Sequence, residues 1–363
     1  MSLGLPDPGA ALKQVFSAAA SSSGIYAPSP RGSTAARHSI AENYLATGVA
    51  IAPENLLLTA SSSESYSFLF KLLCDPGDAV LGPTPSYPLF DYLARLDGVL
   101  PLPYRLSYQP EGRWHIDLHS VDETLDRAAR AGQVVRALVV VSPNNPTGSV
   151  LDERELTALD ARAAARGAAL IADEVFADYV RRPSPTHVRC VAARATQALT
   201  FSLGGLSKSC GLPQLKVGWI AVGGPPAIAD AALGGLDLIA DTYLSVNAPA
   251  ERALPDLLRL GAATRAALIA RLATNAGFLG RTFDDRSSLT ILDHEGGWSA
   301  ILRVPATRTD EEWTLALLED DPVLVQPGYF FDLEGGTFLV ISLLPGEDAF
   351  QEGVRRLAMR IDE

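Results

Sequence analysis

The chain has 363 residues, 47% of them hydrophobic and 20% charged, which suits a sizeable core of about two domains and excludes a disordered polymer. Thirty basic against 42 acidic residues leave a net charge of −12, so nucleic-acid phosphates and anionic membranes are repelled and no partner of either kind is expected. Cys74, Cys190 and Cys210 form no C-x-x-C pair, His115 and His119 lack the glutamate of a H-E-x-x-H motif, and no apolar run reaches bilayer length; no disulfide framework, metal site or membrane span is expected.

The chain opens with neither a basic region nor an apolar core segment, so no signal peptide is visible and a cytoplasmic location is expected. The Ala/Ser-rich stretch from Ala18 to Gly24 reads as a flexible joint. From Ile51 to about Val222, short apolar runs alternate with longer helical patterns, the signature of a mostly parallel sheet covered on both faces. Its first junction is the strand Leu56 to Thr59, then Ser61-Ser-Ser-Glu64 and an apolar helix carrying Phe68, Leu69 and Leu72. Ser61 with Glu64 fits a capping box, and the same first turn offers N–H groups and hydroxyls to a phosphate; by itself the first reading suffices.

Ala137 to Val141 has no alternation, as a strand buried on both sides requires. A loop from Ser142 to Val150, a helix from Leu151 to Arg166 stopped by Gly167, and a strand from Ala168 to Ala172 complete a βαβ unit. A parallel crossover brings Asn144-Asn145 and Asp173-Glu174 to one sheet edge, where ligands of such sheets bind. Lys208 follows in Leu203-Gly-Gly-Leu-Ser-Lys-Ser-Cys-Gly-Leu-Pro213, between apolar runs ending at Phe201 and starting at Trp219. Burial there would lower its pKa and make the amine nucleophilic. Beyond about residue 260 come a helical stretch to about Phe283 and a strand around Trp298 to Val304. A helix opened by Thr309 and Glu312, strands at Val323–Val325 and Phe338–Leu343, and a helix from Asp348 follow. This reads as a separate, smaller α+β domain.

Ser142-Pro-Asn-Asn-Pro-Thr-Gly148, Ala172-Asp-Glu-Val-Phe-Ala-Asp178 and Leu206-Ser-Lys208 appear in that order, at intervals that resemble the class I/II aminotransferases, pyridoxal-phosphate enzymes of fold type I. Cys74-Asp-Pro-Gly-Asp-Ala-Val-Leu-Gly-Pro-Thr-Pro-Ser-Tyr87 resembles the family's stretch between phosphate helix and ring-stacking aromatic. The resemblance implies an α/β, three-layer large domain over residues 26–260, with 1–25 and 261–363 forming the small domain. It implies that Lys208 carries pyridoxal 5'-phosphate as a Schiff base and shuttles the proton, and that Asp173 pairs with the ring nitrogen. Asn145 would bind the 3′-oxygen and Tyr87 would stack on the ring, although an Asn-Pro turn and a core aromatic are the plain alternatives. Ser62, Ser63, Ser207 and Lys216 would hold the phosphate, joined by Tyr26 of a neighbouring subunit; that sharing implies a homodimer.

Three positions depart from the pattern. Lys216 stands where the family has a phosphate-binding arginine, keeping the charge but losing bidentate geometry. Phe176 replaces a tyrosine that donates to the 3′-oxygen, from which a raised imine pKa is expected. In Phe338-Leu-Val-Ile-Ser342, Val340 occupies the place of the arginine that clamps the substrate α-carboxylate, and no basic residue occurs between Arg308 and Arg355. Either another cation such as Arg303 takes over, or the substrate presents no α-carboxylate there. With only about 25 residues before Tyr26, an open site is also expected. The function expected is transfer of an amino group from an amino acid or amine to a keto acid. A β-lyase on the same fold and a non-catalytic effector-binding module are the alternatives.

Overall fold

Apolar runs without alternation become the strands that both layers of helices cover. The computed structural model describes residues 9–21, 27–109, 111–283 and 288–362. Eight strands form one sheet: β1 (Leu56–Thr59), β2 (Ala79–Thr84), β3 (Leu100–Tyr108), β4 (Trp114–Ile116), β5 (Val135–Val141), β6 (Ala169–Asp173), β7 (Thr200–Gly205) and β8 (Gly218–Gly223). Their order is β1-β8-β7-β6-β5-β2-β3-β4. Neighbours from β7 to β3 are parallel, while β8 runs antiparallel to both β7 and β1. Leu138 and Leu170 pack on one face against Leu125, Leu156 and Leu159 of two helices. Val139, Ile171 and Leu203 pack on the other against Phe68, Leu69 and Leu236. Burial of each such leucine or isoleucine stabilises the fold by about 1.5–3 kcal/mol, which is why these strands carry no polar face.

The second sheet is antiparallel, with β9 (Thr290–Leu292), β10 (Ser299–Val304), β11 (Gln326–Pro327) and β12 (Thr337–Ser342) ordered β11-β12-β10-β9. Alternation divides its faces. Ala300, Leu302, Leu339 and Ile341 meet the long helix Ala248–Phe283 and the terminal helix Glu347–Asp362. Ile301, Phe338 and Val340 turn to the opposite face, among Leu292, Phe331 and Leu333.

Helix starts fall where capping chemistry places them. Asp152 caps Glu153–Ala164 with a reciprocal bond from Glu155, trimming the expected helix by two residues at each end, and Thr309 with Glu312 caps Asp310–Glu319. Two expectations are corrected. Val323–Val325 is no strand: the Val323 N–H is spent on Leu317 O at the end of the preceding helix, Val325 inserts into the core, and pairing begins only at Gln326. The stretch expected as a joint is helical as far as Ser21, within the helix Gly9–Ser21; its remainder lies outside the described residues. The change of pattern near residue 260 falls within the helix Ala248–Phe283.

Candidate active site

Parallel pairing of β5 with β6, Val141 opposite Asp173, sets the two polar segments side by side, and the Ser142 N–H donates to Asp173 O at 2.9 Å. The doubled asparagine then divides its labour. Asn144 is buried and consumed by the loop: its Oδ1 accepts the Thr147 hydroxyl at 3.0 Å and its Nδ2 donates to Ser86 Oγ at 3.2 Å. Asn145 is half-buried, and its Oδ1 accepts the Ser299 hydroxyl of β10 at 3.4 Å, a link between the two sheets. The side-chain bonds that close the loop thus fall on Asn144, and the Asn145 Nδ2 makes no hydrogen bond among the described residues.

Asp173 closes β6 and is only 7% exposed. Its Oδ1 accepts the Val175 N–H and its Oδ2 the Tyr66 hydroxyl, both at 3.2 Å. Burial pushes the carboxyl up to about 6, opposed by those two donors and by the charge of Lys208. Glu174 beside it is pushed further, to about 8: burial dominates and the Asp173 charge adds to it, against the Val191 N–H on Oε1 and weaker help from Ser202 and Cys190.

Lys208 lies in the short turn of helix Leu206–Ser209 directly after β7, whose partner β6 ends at Asp173. The Tyr179 hydroxyl donates to Lys208 O at 2.6 Å and fixes the backbone. The amine is 4.9 Å from the Trp298 ring centroid and 5.4 Å from that of Phe176, and Trp298 stacks edge-on against Phe176 and Tyr179 at 5.3 and 5.1 Å. No carboxylate and no hydrogen-bond acceptor holds the amine among the described residues. Burial lowers its pKa, with Asp173 opposing. Phe176 brings a ring and no hydroxyl, and the nearby phenol of Tyr179 is spent on a backbone carbonyl.

At the other end of the site, Ser61 caps helix Ser62–Leu73 by accepting the Glu64 N–H at 3.1 Å. Ser62 and Ser63 follow in the first turn, half-buried, their hydroxyls without a hydrogen bond among the described residues and their N–H groups lacking intrahelical partners. The capping reading of the serine run thus holds on Ser61. Gly218 pairs with Thr59 on one side and Gly205 on the other, so continuing those registers by two residues carries Ser61, Ser207 and Lys216 to one edge. The approach requires glycine: a Cβ at Gly218 would lie 2.9 Å from the Ser61 carbonyl carbon and 3.0 Å from Thr59 Oγ1. Lys216 is exposed and left-handed at φ 53°.

Tyr87 is half-buried and lies near enough to Asp173 for that carboxylate, together with burial, to raise its phenol. Tyr26 lies outside the described residues. Val340 is 2% exposed, opposite Ile301 and clustered with Phe331 and Phe338. Arg303, two residues from Val340's partner Ile301 on β10, is exposed with its guanidinium 5.5 Å from the Phe338 ring, and Arg308 lies 4.9 Å from the Trp313 ring. Tyr66 was missed by sequence reasoning. Its only signal is a hydroxyl-tipped aromatic on a helix face that is otherwise aliphatic and phenylalanine.

The donor set fits pyridoxal phosphate: an unpaired, half-buried amine for an aldehyde, a buried carboxylate for a basic ring nitrogen, and unsatisfied hydroxyls at a helix start beside a lysine for the phosphate. The family model for aminotransferase class I and II matches residues 5–357. The glutamate-pyruvate aminotransferase AlaA of Haemophilus influenzae is 26% identical over 345 residues, which is 90% of this chain and 80% of that protein. An alanine aminotransferase of Mycobacterium tuberculosis is 27% identical over 310 residues, 84% of this chain and 70% of that one. In fold, the alanine aminotransferase of Pyrococcus furiosus matches with a TM-score of 0.86 at 22% identity, covering 98% of this chain and 89% of that one.

Proposed function

The chain belongs to the class I and II aminotransferases, enzymes dependent on pyridoxal phosphate, and from that premise we propose how its own residues divide the work. When bound, the cofactor supplies a ring that takes up the electron pair left as a proton leaves the substrate's amino carbon. Lys208 anchors the aldehyde carbon through its Nζ. The same Nζ, whose pKa burial lowers, would carry the proton from and back to the bound substrate. Asp173 pairs with the ring nitrogen and keeps it protonated; Asn145 donates to the 3′-oxygen through its Nδ2, its Oδ1 being held by Ser299. Tyr87 covers the ring face. Ser62, Ser63, Ser207 and Lys216 receive the phosphate, and Tyr26 completes that site from the second subunit of a homodimer working in the cytoplasm. Among the described residues no helix is long and apolar enough to cross a membrane.

The observation that carries these assignments is the unpaired Lys208 amine in an aromatic wall, one strand away from a buried carboxylate. An absorbance spectrum with added pyridoxal phosphate tests them. Wild type is expected to form a band that shifts to the pyridoxamine form with selected donors, and Lys208→Ala to form none; a full band in the variant overturns the assignment. The named activities of the relatives make alanine and glutamate the first donors to try. Val340 favours a second reading of the donor. A carboxylate pressed on Val340, Ile301 and Phe338 would be desolvated without a partner, at a cost of about 1–3 kcal/mol or more. Amines lacking a carboxylate on the amino carbon escape that cost, and faster band shifts with such amines than with alanine select this reading.

A further inference from the structure

Tyr66 stands one turn into helix Ser62–Leu73, the helix whose first turn faces the phosphate end of the site. It is 2% exposed, and its ring is wedged edge-on against Phe90 at 5.6 Å and tilted on Phe70 at 5.9 Å. A buried phenol must place its hydrogen. Here it goes to Asp173 Oδ2 across the helix–sheet interface, between residues 107 apart in sequence. The other carboxylate oxygen is held by a backbone N–H, so the two donors together fix the carboxylate plane.

We propose that Tyr66 is a positioning residue for the transamination: its hydroxyl holds the Asp173 carboxylate ionised and aimed, and ties it to the helix that receives the phosphate. The proposal rests on the reading of Asp173 as the partner of the ring nitrogen, and goes beyond it. One side chain then sets the ring-nitrogen site relative to the phosphate site, because a shift of the helix start would carry the Tyr66 oxygen with it.

The electrostatics agree. The Tyr66 bond favours the ionised form of Asp173, against a burial that favours the neutral acid. The other titratable groups around this pair are Lys208 from the turn after β7, Tyr87 from the loop after β2, Tyr104 from β3 and Glu174 from the end of β6. Of these only Lys208 favours the Asp173 anion, and it is the group consumed when the cofactor is anchored. In the loaded enzyme the duty of holding the carboxylate ionised therefore falls to Tyr66, the Val175 N–H and the ring nitrogen.

The test compares wild type with Tyr66→Phe, which keeps the ring and removes the hydroxyl, and with Phe90→Leu, which loosens the same packing but leaves the hydroxyl. In the cofactor-free proteins, the Asp173 carboxyl titration is followed by isotope-edited infrared spectroscopy. Its midpoint is expected to rise by about one pH unit in Tyr66→Phe and to stay in place in Phe90→Leu. Affinity for pyridoxal phosphate near pH 7 should fall roughly 5–10-fold in Tyr66→Phe, and the acid limb of kcat/KM should move up by about the same unit. An unmoved midpoint and acid limb in a Tyr66→Phe protein with native circular dichroism overturns the proposal, as does an equal shift in Phe90→Leu. Asp173→Asn separates the two levels. If it binds cofactor and turns over normally, the reading of Asp173 itself has failed; if it is impaired while Tyr66→Phe is silent, only the role of Tyr66 has.

Discussion

The two sides of the candidate site are built from opposite materials. On the large-sheet side, three neighbouring strands lead into polar groups: Asn145 after β5 and Lys208 after β7, both half-buried, and the buried Asp173 and Glu174 at the end of β6. On the small-sheet side, the face carrying Ser299 continues as Ile301, Phe338 and Val340, packed at 2–3% exposure, with Arg303 outside on an aromatic ring. The first side brings together the groups to which the proposed function gives the cofactor chemistry. The second reaches ordinary core packing, with apolar side chains at the position where the resemblance led to the expectation of a cation. The proposed function therefore puts reactivity on one side and selectivity on the other, and variants can break the two separately.

Lys208→Ala gives the largest expected effect. Removing the nucleophile and the proton carrier together should lower kcat by about 10⁴-fold or more, with the thermal midpoint within a few degrees of wild type because the amine has no polar partner to orphan. Added methylamine restoring part of the rate would show that the amine itself was the loss. An undiminished rate would move the reactivity away from the large sheet and dissolve the comparison.

Val340→Arg attacks the other side. A guanidinium among Ile301, Phe331 and Phe338 has no carboxylate to meet, so the variant should lose about 3–5 kcal/mol of stability. Guanidinium chloride unfolding of the cofactor-free protein measures it. A variant of full stability would mean that this face opens to solvent or carries a counter-charge from the second subunit, and the apolar reading of the donor would fall.

A smaller effect separates the neighbours at the end of β6. Glu174 is held by one backbone donor and is pushed to about 8, whereas an unfolded glutamate titrates near 4.5. The folded state therefore binds more protons than the unfolded one between those values. Stability from this group is fully present below about pH 4.5 and is lost as pH rises through about 8. Glu174→Gln keeps an oxygen for the Val191 N–H and cannot ionise. Its melting temperature should fall several degrees less than wild type between pH 5 and 9, roughly the effect of 1–3 kcal/mol. Parallel melting curves would place the Glu174 titration outside this range.

Much of the large-sheet side was legible in sequence because each chemical residue there follows an apolar strand, and parallel pairing fixes where strand ends go. That rule places Asn144-Asn145 and Asp173-Glu174 at one edge, while the roles expected of Lys208, Asp173 and Asn145 rest on the resemblance. What was illegible depends on partners remote in sequence. Tyr66 looks like any core aromatic until Asp173 is seen across the interface, and the division between Asn144 and Asn145 needs Ser86 and Ser299. Val323–Val325 misled for the converse reason: three apolar residues satisfy a strand pattern, but a helix end had already taken the first N–H.

The finest test lies where the two kinds of evidence meet, at Lys216. It is exposed, left-handed, and brought by the registers of β8 to the edge holding Ser61 and Ser207. A lysine offers a phosphate a point charge; an arginine offers a planar fork, and both bear the same left-handed backbone cost. Lys216→Arg should therefore bind pyridoxal phosphate about 3–10-fold more tightly, and Lys216→Ala a similar factor more weakly, with the alanine variant less sensitive to added salt. Pyridoxal without its phosphate should bind all three proteins alike. If arginine tightens pyridoxal as much as its phosphate ester, the gain comes from packing, and the charge at Lys216 serves the loop. If only the ester responds, the exposed lysine is what sets cofactor affinity on the side of the site that performs the chemistry, independently of whatever the apolar face selects.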